Sequence, residues 1–278
     1  MSSSPQQLYL DLLKKTLSFA LWAEPPVPAE AFAYRRGLLT RSAVAIAGKM
    51  LALSRYRLFE DRGFTREQRE DGMIWPGLAD TMIGMKRLDN LQMCIETALR
   101  EGVPGDIIET GVWRGGACIL ARGILAACGV ADRKVFVADS FAGLPRPDKD
   151  KYPQDRRDTH HIHRFLAVSQ EQVADNFRKY GLLDEQVVFL KGWFKDTLPT
   201  APIEKVAVMR LDGDMYESTM DGLVNLYPKL ALGGFCIIDD YALDGCRKAV
   251  ADYRAAHGIS EEMHTIDWTG VYWRKSAR

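Results

Sequence analysis

Two short segments carry carboxylates in a pattern that invites chemistry. In VMRLDGDMYEST, residues 208–219, an apolar run ends in Asp212-Gly213-Asp214, with Glu217 close behind. In GGFCIIDDY, residues 233–241, a second apolar run ends in Asp239-Asp240. Both runs read as buried strands, and neighbouring strands lie about 4.8 Å apart. As neighbours, they bring Asp212 and Asp239-Asp240 to one rim. Three carboxylates gathered there repel one another unless a cation sits among them. All-oxygen ligands favour Mg2+, Mn2+ or Ca2+ over zinc. The spacing is not that of an EF-hand loop, whose Gly and final Glu are missing after Asp212 and Asp214. In the plainer alternative Asp214 caps a helix over 216–230 and Asp239 lies in a turn, which explains one pair better than both.

Other apolar segments end in residues suited to a ligand. ETGVWRGG, residues 109–116, places Gly111, Gly115 and Gly116 where a backbone must turn tightly into a helix. The spacing is G-x-x-x-G-G, with Trp113 where a dinucleotide fingerprint has its second glycine, so a nicotinamide cofactor is disfavoured. Asp139-Ser140-Phe141 closes the next strand, where an acid commonly accepts ribose hydroxyls. Trp193 and Phe194 follow a third strand and are suited to flanking an adenine ring. His160, His161 and His163, in THHIH, lie in a polar stretch without a cysteine at zinc spacing, and solvated histidines are the plainer reading.

The elements that must position these residues alternate. Apolar strands are expected over 105–112, 134–140, 186–192, 205–212 and 234–240. Helices are expected over 116–128, 169–181 (with a Ser169–Gln172 capping box), 216–230 and 244–257. Fully apolar strands separated by helices give an α/β fold with a mostly parallel, doubly wound sheet. Ligands in such sheets bind at the carboxyl ends of the strands. Segments 261–268 and 270–275 form a closing antiparallel hairpin. Helices over 8–22 and 43–54 precede the first strand and read as a cap or interface extension over residues 1–70. The main domain then spans 71–278, with a helix over 80–100 leading into it. Residues 141–168 are long, polar and irregular, the character of a lid.

Composition narrows the classes. The 278 residues are 47% hydrophobic and 27% charged, with 37 basic and 37 acidic side chains. That balance offers nothing to nucleic acid, and no polybasic run points to a membrane. Cys94, Cys118, Cys128, Cys236 and Cys246 form no CxxC pair and read mostly as reduced, buried thiols. The first residues lack a signal-peptide pattern, and no apolar run approaches the roughly 18–20 residues of a membrane span. A cytoplasmic setting is expected. The amphipathic N-terminal helices suit a homodimer or higher homo-oligomer.

Six segments occur in order: TMIGMKRLDNL, ETGVWRGGA, DSFAGLP, GWFKDTLP, LDGDMYEST and IIDDY with GCRKAV. Together, over roughly residues 70–275, they resemble the macrocin O-methyltransferase family, which includes the mycinamicin and novobiocin sugar O-methyltransferases. The resemblance implies a Rossmann-like class I methyltransferase fold. It implies S-adenosylmethionine and Mg2+ (or Mn2+) as cofactors. The acceptor it implies is a hydroxyl of a deoxysugar on a natural product, with a non-sugar vicinal diol or catechol as the alternative small-molecule acceptor. By position, Asp212, Asp239 and Asp240 match the metal ligands, and Asp214 the general base. Thr81, Met82, Glu109, Gly111, Val112, Trp113, Arg114, Gly115, Asp139, Ser140, Phe141 and Asp196 fall in the cofactor-contacting motifs, to which Trp193 is added from its place at a strand end. A metal-dependent phosphohydrolase is a distant rival. Its D-x-D strand opens the core, whereas here that motif follows three strands.

Overall fold

Apolar strands and amphipathic helices alternate through most of the chain, and local sequence signals fix where many of them start. The computed structural model describes residues 4–29, 37–61 and 63–276. Helix α1 (Pro5–Leu17) opens on Ser4, whose side chain accepts the Gln7 N–H, with proline in its first turn. A two-residue ladder, β1 (Val27–Pro28) with β2 (Phe59–Glu60), brackets α2 (Leu38–Leu53). Helix α3 (Arg66–Glu70) follows a Thr65–Gln68 capping box. Then come α4 (Met85–Arg100), β3 (Asp106–Thr110), α5 (Gly116–Ala127), β4 (Val135–Asp139), α6 (Gln170–Lys179), β5 (Val187–Lys191) and α7 (Phe194–Thr197). The chain continues through β6 (Val206–Leu211), α8 (Tyr216–Leu226), β7 (Leu230–Ile238), α9 (Asp244–Ala256), β8 (His264–Thr265) and β9 (Val271–Arg274). The Ser169–Gln172 capping box is present at the start of α6.

The main sheet has the spatial order β5-β4-β3-β6-β7-β9-β8. Strands β3 to β7 are parallel, β9 runs antiparallel to β7, and β8 pairs antiparallel with β9. This is the mostly parallel, doubly wound sheet with a C-terminal antiparallel hairpin that the sequence pattern implies. Alternation sorts its side chains into two layers. Ile107, Val135, Val137, Phe235 and Ile237 pack toward α1, α4, α5 and α6. Ile108, Phe136, Ala138, Met209, Cys236 and Ile238 pack toward α8 and α9. The chain winds outward from β3 in one direction and from β6 in the other. Their carboxyl ends therefore flank the crevice where such sheets bind ligands.

Boundaries differ from the sequence expectation where backbone geometry intervenes. The first helix stops at Leu17 because Phe19 turns into the left-handed region, φ 59°. Helix α4 begins after Gly84, since residues 80–83 are non-helical, with bends at Asp80 and Ile83. Strand β7 starts four residues early, at Leu230, with a register shift opposite Val206–Val208.

The sequence expectation of a division near residue 70 puts α1 in an N-terminal extension. Yet Leu10, Leu13 and Leu17 sit in the same core as α5 and β3, and the Leu17 carbonyl accepts the N–H groups of Asp80 (2.8 Å) and Thr81 (3.3 Å). Helix α2 behaves differently. Leu38, Leu39, Ile46, Met50 and Leu53 are all exposed, and only Gly48 of the helix is buried. The five cysteines are free thiols, four of them buried. Among the described residues, no helix is long and apolar enough to cross a membrane.

Candidate active site

The crevice opens into a cavity of about 210 Å³ at the carboxyl ends of β3, β4 and β6. Its first wall is the turn from β3 into α5. Gly111 has φ 83°, and a Cβ there would lie 1.8 Å from the Asp212 carbonyl oxygen, so only glycine lets β3 and β6 leave the sheet side by side. Gly115, φ 87°, stands clear of Val173 for the same reason. Between them Trp113 holds φ 47°, an uncommon conformation for a bulky residue. Asp139 fixes this turn from β4: one carboxylate oxygen accepts the Val112 N–H (2.8 Å), the other the Phe141 N–H (2.7 Å). Burial raises its pKa, and those N–H groups pull it back.

Beneath the cavity lies a buried ionic layer that the sequence reading missed. Glu109 and Arg210 are paired across β3 and β6 in register, on the same face as Asp239 of the β7 end. Arg210 is only 2% exposed and binds Glu109, Asp212 (2.9 Å) and Asp239. Arg87, from α4, binds the other oxygen of Asp239 and also Asp267 (2.9 Å). Asp267 sits in the β8–β9 turn, where it accepts the Thr269 and Gly270 N–H groups. Burial pushes Glu109 up to about 7 against the pull of Arg210, and the Cys118 thiol donates to it over 2.9 Å. Burial would raise Asp239 too, but Arg210 and Arg87 hold it below the ordinary carboxylate range. An arginine within an otherwise apolar strand, VMRLD, was the available signal for this layer.

Asp212, Asp214 and Asp240 gather above it, each offering an oxygen within 4.8 Å of the others. The sequence reading grouped Asp212 with Asp239 and Asp240. The structure brings Asp214 into the cluster, while both oxygens of Asp239 bind guanidinium groups of the layer below. Burial and the neighbouring Asp239 push Asp212 up to about 6. Burial and Asp212 push Asp214 up to about 7, with His160 opposing. Asp240 rises well above its ordinary value through burial and the same neighbours. Asp214 holds φ 57° and donates its N–H to Asp240 (3.0 Å). Its side chain does not cap α8, so the plainer role weighed for it falls away. Hard oxygen donors short of positive charge fit a hard divalent cation.

Segment 141–168 closes the cavity with Gly143, Leu144, Pro145 and Leu166. Trp113 donates its indole N–H to the Phe165 carbonyl (3.0 Å), tying this segment to the glycine turn. Three short 3-10 turns order it. In the second, His160 Nδ1 lies 2.6 Å from Asp158 and 4.0 Å from Asp214. Its hydrogen bond to Asp158 raises the His160 pKa. This histidine therefore stands at the site rather than in solvent.

Of the expected cofactor contacts, Thr81, Met82, Glu109, Gly111, Val112, Trp113, Asp139, Ser140 and Trp193 line the cavity, together with Phe194. Arg114 and Phe141 act from behind the wall. Arg114 stacks on Trp113 and donates to the Gly77 and Ala79 carbonyls, and Phe141 packs on Phe189. Gly115 is likewise behind it. Asp196 lies outside, in an exposed pair with Lys195. Glu217 and Asp221 of α8 also line the cavity, as does Lys195, and were not foreseen as such.

A doubly wound sheet with a glycine turn after β3, an acid at the end of β4 and this cavity between is a Rossmann-like arrangement, and the family matched by the chain is one of S-adenosylmethionine-dependent methyltransferases. Residues 6–275 match the macrocin-O-methyltransferase (TylF) family, and the chain belongs to it. It is 51% identical to mycinamicin III 3''-O-methyltransferase of Micromonospora griseorubida, over 99% of each chain. It is 49% identical to the 8-demethyl-8-(2,3-dimethoxy-alpha-L-rhamnosyl)-tetracenomycin-C 4'-O-methyltransferase of Streptomyces olivaceus, over 100% of this chain and 96% of that one. The structure of the O-methyltransferase NovP is similar at 48% identity, with a TM-score of 0.83 over 98% of this chain and 100% of that one.

The raised acids set a sign for stability. Unfolded, Asp212 and Asp214 ionise near 3.8; folded, they hold protons to about 6 and about 7. In that window the folded chain binds more protons than the unfolded chain, so stability falls as pH rises. In chelator, Tm is expected to decline between about pH 4 and about pH 7, and Asp240→Asn is expected to flatten the decline. A Tm that rises across this range, measured by calorimetry, contradicts the charge assignment.

Proposed function

We propose that this chain transfers a methyl group from S-adenosylmethionine to a hydroxyl of a deoxysugar carried by a natural product, assisted by Mg2+ (or Mn2+). The observation that carries this reading is the gathering of Asp212, Asp214 and Asp240 beside the cavity walled by the Gly111–Gly115 turn. The relatives named above support the acceptor class, since one name specifies a rhamnosyl group and a 4'-oxygen. The same residues accommodate a non-sugar vicinal diol or catechol, which is the second reading.

Asp212 and Asp240 hold the cation in this account. Asp239 spends one lone pair of each oxygen on a guanidinium and keeps others, so it can join them as a ligand. The bound cofactors supply an electrophilic methyl group and a Lewis acid that lowers the pKa of an acceptor hydroxyl. Asp214, held beside Asp212 and Asp240 by its left-handed backbone, accepts the hydroxyl proton. His160 stands behind it, oriented by Asp158. Asp139 and Ser140 would hold the ribose of the cofactor, and Trp193 and Phe194 its adenine, since all four line the cavity. The 141–168 segment excludes water, which strengthens each charge interaction inside. A homodimer that covers the exposed apolar residues of α2 completes the reading.

Calorimetry is expected to show S-adenosylmethionine binding, and Asp214→Asn is expected to retain that binding while losing at least about a hundredfold in turnover. A panel of glycosylated acceptors and simple catechols then decides the acceptor class. Wild-type-like turnover of Asp214→Asn removes Asp214 as the base, and absence of cofactor binding removes the reading itself. Sedimentation as a monomer at micromolar concentration removes the dimer.

A further inference from the structure

Helix α8 starts immediately after the Asp212-Gly213-Asp214 loop, yet its N-cap residue is Met215, which has no side-chain oxygen to give. Its first amides must still find acceptors. They find Asp155, some sixty residues earlier in the chain and inside the 141–168 segment. One Asp155 oxygen accepts the Tyr216 N–H (2.6 Å) and the other the Glu217 N–H (3.1 Å). The carboxylate thus caps the helix from outside and meets the positive end of its dipole.

The seat for this carboxylate is built. Asp155 is 3% exposed, an unusual burial for an acid that has no cationic partner among the described residues. Gly245, in the first turn of α9, makes room for it: a Cβ at 245 would lie 2.5 Å from the Asp155 Oδ1 and 3.1 Å from the Tyr216 nitrogen. The Tyr152 and Tyr216 rings meet at 5.9 Å beside the same contact. Asp155 also continues directly into the active site. Its carbonyl accepts the Asp158 N–H (2.9 Å), and Asp158 in turn orients His160 next to Asp214.

We propose that Asp155 is a positioning residue that keys the 141–168 segment to the start of α8. Seating this one carboxylate sets two things together: the entry of α8, which anchors the left-handed Asp214, and the run 155–160, which brings His160 to it. The loop that carries the base is then complete only when the segment is seated over the cavity. This rests on the methyl-transfer reading for its kinetic consequence, but not for its structural one.

The test uses Asp155→Ala, Asp155→Asn and Gly245→Ala in the full chain. In Asp155→Ala, amide exchange at Tyr216 and Glu217 and proteolytic cutting within 148–166 are expected to rise. Turnover is expected to fall by about tenfold to a hundredfold, because a small misplacement of a reacting group has that effect. Affinity for S-adenosylmethionine is expected to change less than about twofold, since Asp155 does not line the cavity. Asp155→Asn keeps one acceptor oxygen of the two and turns an amide nitrogen toward the other N–H, so it is expected to recover only part of the loss. Gly245→Ala keeps the acid but takes its seat, and is expected to resemble Asp155→Ala. Unchanged exchange at Tyr216 and Glu217 in Asp155→Ala, or, should that variant not fold, wild-type exchange and turnover in Gly245→Ala, overturns the proposal. The exchange readout does not depend on methyl transfer, so failure of this inference is distinguishable from failure of the functional reading.

Discussion

Two buried guanidinium groups, Arg87 and Arg210, hold the carboxyl rim of the sheet together. Four acids converge on them from three strands and a hairpin turn: Glu109, Asp212, Asp239 and Asp267. Ion pairs this deep gain little net stability, because desolvation offsets much of the attraction. Losing one partner is another matter, costing about 3–5 kcal/mol by leaving a charge buried alone. The layer therefore acts as a constraint on geometry. Strands β3, β6 and β7 must end in register, and the β8–β9 turn must fold back over α4, or a charge is stranded.

That layer also leaves a deficit above it. Adding Asp214 and Asp240, two guanidinium groups face six carboxyl groups. The raised pKa values of Asp212 and Asp214 are the protein's response in the absence of another positive charge. Strain accompanies the charge. Trp113 and Asp214 both sit in the left-handed region and both line the cavity, as residues held in costly conformations at functional sites often do. Asp214 is kept there by its N–H bond to Asp240 and by the entry of α8.

Much of this was legible in the sequence. Apolar runs broken by glycine and acid residues marked the five parallel strands, and the residues just beyond them marked most of the cavity. What was not legible came from distance and direction. Nothing local to Asp155 points to Tyr216, because a cap from another segment leaves no spacing pattern. The adjacency of Asp239 and Asp240 made them look like one pair. Both lie just past the last residue of β7, where the chain bends, and there they diverge: Asp239 binds the guanidinium layer and Asp240 the Asp214 N–H. Arg210 was read as one residue of an apolar strand, though a charge at a buried strand position requires a partner on the same face. Helix α2 has the apolar content of a core helix but is exposed, because its periodicity says how apolar it is and not what covers it.

The most direct test of the charge account is proton release on Mg2+ binding. Titrating Mg2+ into the protein near pH 6.5, in two buffers of different ionisation enthalpy, separates proton release from the heat of binding. The account predicts that binding expels protons from Asp212, Asp214 and Asp240, so the apparent heats differ between buffers with the sign of release. Equal heats in both buffers, or no binding at all, would contradict the claim that these three carboxylates share a deficit a divalent cation fills.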